Sequence, residues 1–174
     1  MGRLNPQKNH RLLLDAFAAA AIPGAHLLIA GEGDLRPELE ARSAALGIAT
    51  TVHFLGVRAD VPRLFGAADA LVMPSSWEGN PLVVMEAMAA GLPVVATRVG
   101  CVPELVSPDT GKLTEPGDRD GLAMAMTAMA GDLVRARRLG RAATLIANER
   151  FSSEAMARAY EALYRSRRKE QATS

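Results

Sequence analysis

The stretch that decides the fold is SSWEGNPLVVMEAMAAGLPVVAT, which occupies residues 75–97. A short apolar run at residues 69–74 precedes it and ends at a proline, which predicts a buried strand rather than a helix. A second apolar run follows at Val94 to Thr97. The sequence between these runs has the composition of a helix. The stretch therefore predicts a strand, a helix and a second strand, the repeating unit of an α/β protein.

The predicted helix has a defined start and a defined end. Gly79 makes the turn before it, and Asn80 followed by Pro81 is typical of an N-cap and a first helical residue. Gly91 can adopt a positive φ and end the helix. We therefore expect a helix from about residue 81 to residue 91.

The start of this helix lacks an acidic cap. Neither residue after Pro81 is acidic, so no side chain at the third helical position folds back onto the N–H groups of Leu82, Val83 and Val84. Free N–H groups at the start of a helix attract anions such as phosphate. This end of the helix is therefore predicted to be open to an anionic ligand.

Two glutamates frame the same region. Glu86 is the only charged residue of the predicted helix, and Glu78 precedes the turn with seven residues between the two. An unpaired buried carboxylate costs on the order of several kcal/mol, so Glu86 should either have a protein partner or face a ligand cleft. Glu78 is expected at the mouth of that cleft. This spacing is common by chance, but with the open helix start it favours a ligand that carries phosphate and sugar hydroxyls.

The residues from Ser76 to Thr97 resemble the signature of the large family of retaining glycosyltransferases with the GT-B fold. The start of the chain, Gly2-Arg3-Leu4 through Gln7-Lys8-Asn9, resembles the same family's arginine and lysine pair for the donor pyrophosphate. Nearly the whole chain follows the pattern of the family's C-terminal, donor-binding domain. The resemblance implies a Rossmann-like, doubly wound parallel sheet with helices on both faces.

The resemblance also implies a function and a set of site residues. The reaction would move a hexosyl group from a UDP-, GDP- or similar nucleotide-sugar to a hydroxyl acceptor with retention, without a cofactor. By resemblance, Glu86 holds the ribose hydroxyls and Glu78 the sugar hydroxyls. The diphosphate would contact Arg3, Lys8 and the amides of Leu82 and Val83. The remaining residues expected to line the donor site are Gly31, Gly56, Val57, Arg58, Gly79, Asn80 and Pro81.

The start of the chain also bears on the domain organisation. In the resembled family a buried strand directly precedes the glycine that corresponds to Gly2, so we expect the first strand to be truncated here and a sheet edge to be left unpaired. We expect a nucleotide-sugar-binding domain at residues 1–150, followed by a C-terminal helix and basic tail at 151–174. Activity would require an N-terminal acceptor domain. A homodimer through the sheet edge is a further possibility.

Composition excludes several classes of protein. The chain has 174 residues, a hydrophobic fraction of 49%, and 20 basic against 19 acidic residues, so it should form one folded domain with no global basic surface for nucleic acid. It has no apolar run of membrane-span length and no signal peptide, so we expect a cytoplasmic protein. The basic tail from Arg165 to Lys169 is expected to be a solvated end, with peripheral membrane contact as the alternative.

No sequence pattern predicts a metal. Asp118 and Asp120 imitate an Asp-x-Asp metal motif, but they open a helix, where an N-cap and the helix dipole explain them.

The single cysteine, Cys101, is expected to be a small apolar residue and stands where the resembled family commonly has glycine. The segment from Gly31 to Asp34 imitates a dinucleotide fingerprint, but Arg36 occupies the position of its third glycine.

The other expected elements follow from apolar spacing and turn residues. The predicted strands are His26–Ala30, Thr51–Leu55 and Thr110–Thr114. The first predicted helices are Asn9–Ala21, a helix capped by Asp34 and ended by Gly47, and a short helix that begins at Asp60. The later predicted helices are residues 118–131, a helix that begins at Asp132, and a last helix capped by Ser152 or Ser153.

Two rival functions remain at this level. One is a nucleotide-sugar epimerase, which also uses a GT-B fold, and the other is a non-catalytic, homo-oligomeric interaction module.

Overall fold

The computed structural model describes the backbone of residues 1–172 and the side chains of residues 1–165. The strands are β1 (Leu27–Ala30), β2 (Val52–Gly56), β3 (Leu71–Met73), β4 (Val94–Thr97) and β5 (Gly111–Thr114). The helices are α1 (His10–Ala20), α2 (Arg36–Ala45), α3 (Val61–Gly66), α4 (Leu82–Ala89), α5 (Val102–Leu105), α6 (Arg119–Gly131), α7 (Leu133–Arg150) and α8 (Ser153–Ala172), with a 3₁₀ turn at Pro6–Lys8. Strands and helices alternate as the sequence predicts.

All strand pairs are parallel, which confirms the predicted fold class, but the sheet is in two parts. One part has the order β1-β2 and the other has the order β3-β4-β5. At the inner edge of β1, the N–H groups of Gly2 and Leu4 donate to the carbonyls of Ala30 and Glu32, both at 2.9 Å. Residues 2–4 therefore lie beside the carboxyl end of β1 and are fixed to it by main-chain hydrogen bonds.

Helices cover both faces of the sheet and divide the core into two clusters. In the first, α1 and α6 pack on β1, β2 and β4, with Leu14, Ile29 and Leu122 almost fully buried. In the second, α4 and α7 pack on β3 and β4, with Val84 and Val94 fully buried. This arrangement leaves the carboxyl ends of the parallel strands, and the loops that follow them, on one edge of the molecule.

Helix α4 begins and ends differently from the prediction. Pro81 is the N-cap instead of the first helical residue, and Asn80 is exposed and makes no cap hydrogen bond. The prediction for Asn80 was wrong because Pro81 keeps an extended backbone, with ψ at 97°. The helix ends at Ala89, and Gly91 follows with the expected positive φ of 83°. The uncapped start of the helix, in contrast, is confirmed.

Other helix ends confirm some predictions and correct others. Asp118 accepts a hydrogen bond from the N–H of Gly121 at 2.8 Å, so it is the N-cap of α6. Ser152 caps α8 through the N–H of Ala155 at 3.1 Å. Asp34 was wrongly expected to cap α2, which follows Leu35 without a side-chain cap. Ala21, predicted as the last residue of the first helix, is the exposed C-cap of α1, with φ at 45°.

The C-terminal helix α8 continues through the predicted basic tail. The Arg165 side chain lies 3.6 Å from the carboxylate of Glu161, one turn earlier. The side chains at positions 166–169, which complete the predicted basic tail, lie outside the described residues. Among residues 1–172, no helix combines the length and the hydropathy that crossing a bilayer requires.

Candidate functional site

Three loops meet at the carboxyl edge of the sheet. The first is the segment 2–9, the second follows β3 at 74–81, and the third follows β4 at 98–101. The N–H of Ser76 donates to the carbonyl of Gln7 at 2.8 Å, which joins the first loop to the second. The N–H of Cys101 donates to the carbonyl of Gly79 at 3.3 Å, which joins the second loop to the third. Main-chain bonds therefore fix the three loops relative to one another.

Glu78 is the centre of this arrangement. Its Oε1 accepts hydrogen bonds from Lys8 Nζ and from Ser75 Oγ, each at 2.6 Å. Its Oε2 has one longer contact, 3.5 Å from Gln7 Nε2. The Glu78 side chain is only 5% exposed, so the expectation that it lies at the open mouth of a cleft was wrong. The structure places it beneath the surface, where a lysine and a hydroxyl compensate for its burial.

Two further contacts hold the loop that carries Glu78. Thr97, which is fully buried, donates from Oγ1 to the carbonyl of Ser75 at 2.6 Å. Gly100 has φ at 50°, and a Cβ there would lie 1.9 Å from the carbonyl oxygen of Glu78. No side chain can be placed that close to a backbone oxygen, so glycine is required at this position. The neighbouring Cys101 stands where the resembled family commonly has glycine, and the chain closes the loop with that side chain present.

The start of α4 remains available to a ligand. The helix has no side-chain cap and no acidic residue in its first turn. The N–H of Val84 is used, because it donates to the carbonyl of Pro81 at 3.0 Å, which corrects the expectation that three amides would be free. Leu82 is 66% exposed at the helix start. The N–H groups of Leu82 and Val83 thus remain as candidate anion donors.

Glu86 lies on the exposed side of α4. The residue is solvent-exposed, and within the described part of the chain it has no ion pair or side-chain hydrogen bond. The premise that its carboxylate is buried was therefore wrong. Because the carboxylate is not buried, it needs no protein partner, and its oxygens are free to accept hydrogen bonds.

Of the glycines expected to line the donor site, Gly31 packs backbone against backbone. Gly31 has φ at 135°, and a Cβ there would lie 1.9 Å from the carbonyl oxygen of Gly2. Its N–H donates to the carbonyl of Gly56 at 2.8 Å. The glycine at position 31 is therefore explained by close packing of the first loop, whether or not a ligand contacts it. Arg3, between Gly2 and Leu4, is exposed.

Arg58, expected to reach the nucleobase, is engaged by a neighbour. Its Nε and Nη2 donate to the two carboxylate oxygens of Asp60, at 2.8 and 2.7 Å. The hydrogen bond from Arg58 lowers the pKa of Asp60. Val57, before it, is 79% exposed. The structure thus leaves Val57 open to solvent and holds Arg58 in a bidentate pair.

Three neighbours of Glu78 were not assigned a role from the sequence: Ser75, Gln7 and Trp77. Gln7 Nε2 donates to the carbonyl of Trp77 at 3.1 Å, and the Trp77 ring is 62% exposed beside the network. A signal existed for all three, because each lies within a stretch of sequence quoted above for its motif. The residues described in the structure contain no group of three or more His, Cys, Asp or Glu side chains that could hold a metal ion.

Comparisons with known proteins agree with this architecture. The family described as "Glycosyl transferases group 1" matches residues 1–132. The lipopolysaccharide core biosynthesis mannosyltransferase LpsB of Rhizobium meliloti is 33% identical over 95% of the chain and 50% of its own length. A GDP-mannose-dependent monoacylated alpha-(1-6)-phosphatidylinositol monomannoside mannosyltransferase of Corynebacterium glutamicum is 34% identical over 88% of the chain and 43% of its own length.

Solved structures of related proteins share the architecture of this chain. The crystal structure of Anabaena HepE in complex with UDP superposes with a TM-score of 0.88 at 31% identity, over 95% of this chain and 48% of that one. The same protein has also been solved in complex with UDP-glucose. This chain spans about half the length of LpsB and of HepE. The strand order, the loop geometry and these matches together show that the chain belongs to the group 1 glycosyltransferases and has the fold of one half of a GT-B enzyme.

Proposed function

We propose that this chain provides the donor-binding half of a glycosyltransferase. The enzyme would move a hexosyl group from a nucleotide-diphosphate sugar to a hydroxyl acceptor, with retention of configuration. The observation that carries the proposal is the Lys8–Glu78 pair on the loop that leads into the uncapped start of α4, at the carboxyl edge of a parallel sheet. Ligands of doubly wound folds bind at this edge. UDP in HepE and GDP-mannose in the Corynebacterium relative support a uridine or guanosine donor.

The diphosphate is the part of the donor that this site is built to hold. Arg3 and Lys8 supply positive charge, and Leu82 and Val83 supply N–H donors at the positive end of the α4 dipole. As the glycosidic bond breaks, negative charge develops on the leaving diphosphate. These groups stabilise that charge in place, so the proposed reaction requires no metal ion.

The two glutamates hold hydroxyl groups in this proposal. Glu86, exposed and without an ion pair among the described residues, accepts hydrogen bonds from the ribose. Glu78 uses Oε1 for Lys8 and Ser75, which leaves Oε2 with spare acceptor capacity for a sugar hydroxyl. Neither carboxylate is proposed as a nucleophile, because Glu78 is fixed by its partners and Glu86 serves the nucleoside.

The acceptor is proposed to bind polypeptide outside these 174 residues. We therefore expect the isolated chain to bind donor weakly and to transfer nothing. Incubation of the purified chain with UDP-glucose or GDP-mannose should release no nucleoside diphosphate. Release of the diphosphate at a measurable rate would contradict this part of the proposal, and an epimerised sugar would support the epimerase instead. A cytoplasmic location and a homodimer remain predictions.

Trp77 provides a direct measurement of donor binding. It is the only tryptophan of the chain and lies next to Glu78, so its fluorescence should change when UDP or GDP binds at millimolar concentration. Replacing Arg3 or Lys8 with methionine should weaken UDP binding at least about fivefold, with a smaller effect on uridine. Glu86→Gln should weaken binding of both UDP and uridine.

The controls are exposed residues of the same type on α7. Arg137→Met and Glu149→Gln should leave binding unchanged, because both side chains are exposed on a helix remote in sequence from the three loops. Equal effects of the site variants and of these controls would count against the proposed site. Absence of any nucleotide binding, together with a stable dimer in sedimentation, would favour the interaction module.

A further inference from the structure

Two histidines face each other near the amino ends of β1 and β2, on the side of the sheet away from the candidate donor site. His26 directly precedes β1, and His53 is in the first half of β2. His26 Nδ1 lies 3.0 Å from His53 Nε2, and the ring centroids are 5.1 Å apart with 30° between the ring planes. His26 is exposed and His53 is half-buried, so solvent reaches both rings. We call these two side chains the histidine pair.

The sheet holds the histidine pair on one of its faces. β1 and β2 are parallel, and Leu28 is the Cα partner of His53 in their register. His26 lies two residues before Leu28, so these three side chains project to the same side of the sheet. Next to the pair, the N–H of Leu27 donates to the carbonyl of Thr51 at 2.8 Å. Main-chain hydrogen bonds therefore fix the backbone, and rotation of the rings is the main freedom left to the pair.

The facing nitrogens can also act as two acceptors. A neutral imidazole has one N–H and one lone pair, and its tautomer decides which nitrogen carries the proton. The rings share a hydrogen bond when one facing nitrogen is protonated. When the protons are on the outer nitrogens, His26 Nε2 and His53 Nδ1, two lone pairs converge. Converging imidazole lone pairs are ligands that suit first-row transition metals.

The distance between the facing nitrogens favours a particular coordination geometry. An imidazole nitrogen lies about 2.0 to 2.1 Å from a bound ion, so a separation of 3.0 Å gives an N–metal–N angle of about 95°. A tetrahedral angle would require a separation of about 3.3 Å. Angles near 90° are typical of the tetragonal sites of Cu²⁺ and Ni²⁺, whereas Zn²⁺ prefers tetrahedral sites. The histidine pair therefore matches Cu²⁺ and Ni²⁺ better than Zn²⁺.

We propose that His26 and His53 together chelate one divalent transition-metal ion of tetragonal geometry, Cu²⁺ or Ni²⁺. The residues that the structure describes provide no group of three His, Cys, Asp or Glu side chains there, so water completes the coordination. The ion replaces the hydrogen bond between the rings as the link between β1 and β2. Among the described strands these two pair only with each other, so the ion stabilises the smaller part of the sheet.

The metal site does not depend on the proposed donor site. The histidine pair lies near the amino ends of its strands, whereas Lys8 and Glu78 lie in loops at the carboxyl edge of the sheet. Metal binding should therefore act on the stability of β1 and β2 and not on the nucleotide. Failure of one proposal leaves the other intact.

The test titrates the full chain with Ni²⁺ by calorimetry at about pH 7.5, above the ordinary pKa of histidine. One Ni²⁺ should bind per chain, and EDTA should reverse the binding. Saturating Ni²⁺ should raise Tm by at least about 3 °C, because the ion binds only the folded pair. Zn²⁺ should bind at least about fivefold more weakly than Ni²⁺. The electron paramagnetic resonance spectrum of bound Cu²⁺ should show two equatorial nitrogen ligands.

Variants of the histidine pair show whether these rings bind the ion. His26→Gln and His53→Gln should each weaken Ni²⁺ binding at least about tenfold, because the second imidazole binds within the same rigid scaffold. The double variant keeps His10, which is 6% exposed, and Cys101, so it measures binding by all other groups of the chain. Circular dichroism checks the fold. If His53→Gln fails to fold, the exposed His26→Gln variant decides the outcome.

Several results would overturn the proposal. The first is the absence of saturable Ni²⁺ and Cu²⁺ binding to the parent chain, and the second is equal binding by the parent and the double variant. The third is one ion bound per two chains, because the ligands would then come from different molecules. Tighter binding of Zn²⁺ than of Ni²⁺ would contradict the tetragonal geometry.

Discussion

Lys8 Nζ lies 2.6 Å from Glu78 Oε1, although 70 positions separate the two residues in the sequence. The pair joins the loop before α1 to the loop after β3. With the Glu78 side chain 5% exposed and that of Lys8 21% exposed, water screens the pair only partly. The contact therefore serves the fold and the proposed chemistry together, because the cation assigned to the diphosphate is held by the carboxylate assigned to the sugar.

The first prediction concerns the stability that this pair provides. Glu78→Gln should lower the free energy of unfolding by about 2 kcal/mol, because it leaves Lys8 without its anionic partner in a largely buried position. Lys8→Met should have a similar effect, and the double variant should show coupling of about 1 kcal/mol or more. Urea unfolding measures all three values.

The matched control is the exposed pair of Arg98 and Glu115. These side chains are 52% and 69% exposed, with Nε and Oε1 3.1 Å apart. Glu115→Gln should change the free energy of unfolding by no more than about 0.5 kcal/mol. Additive effects of the Lys8 and Glu78 substitutions would show that the pair contributes no interaction energy.

The second prediction concerns the glycine against which the Glu78 loop packs. Gly100→Ala should destabilise the fold by about 2 to 4 kcal/mol, because the residue has positive φ and the new Cβ meets the carbonyl of Glu78. Gly117 also has positive φ, at 79°, but no atom lies within 4 Å of its Cβ position. Gly117→Ala should therefore cost only about 1 kcal/mol. Thermal and urea unfolding should separate the two variants; equal losses would mean that the close contact is unimportant.

The third prediction concerns how the free energy of unfolding depends on pH. Burial, followed by the charges of the amino terminus and Lys8, lowers the pKa of His10 from 6.5 to about 4. Above pH 6.5 the imidazole is neutral in the folded and unfolded chains, so it costs no stability. Between pH 6.5 and 4 the unfolded chain binds a proton that the folded chain does not. The free energy of unfolding should fall through this range, by about 3 kcal/mol in total.

Urea unfolding at a series of pH values checks this dependence. His10→Leu removes the titrating group and should flatten the profile between pH 6.5 and 4. If the parent chain and the His10→Leu variant lose stability in parallel, other groups account for acid sensitivity.

The fourth prediction concerns competition for Arg58. Asp60 binds this guanidinium through both carboxylate oxygens, so Arg58 must leave Asp60 before it can contact a nucleobase. Asp60→Ala should therefore raise the affinity for UDP about two- to fivefold, because the exposed pair is weak. Trp77 fluorescence measures the affinity, with Asp109→Ala as an exposed control. An unchanged affinity would remove Arg58 from the donor site.

The sequence alone determined the α/β class, the order of the elements and the family. These depend on local signals, such as the apolar runs at Leu71–Met73 and Val94–Thr97 and the glycine after α4, which act over a few neighbouring residues. The spacing of Glu78 and Glu86 identified both as candidates, and the family resemblance added Lys8. It misplaced the cap at Asn80, because the backbone of Pro81 depends on how the whole loop is packed.

Only the tertiary structure decided the surroundings of each candidate. Burial and ion pairing depend on residues that are distant in the sequence, so no local pattern could show that Glu78 is buried against Lys8 and Ser75 while Glu86 is exposed. The same reason applies to the split sheet and to the buried Nδ1 of His10, which has no hydrogen-bond partner among the described residues.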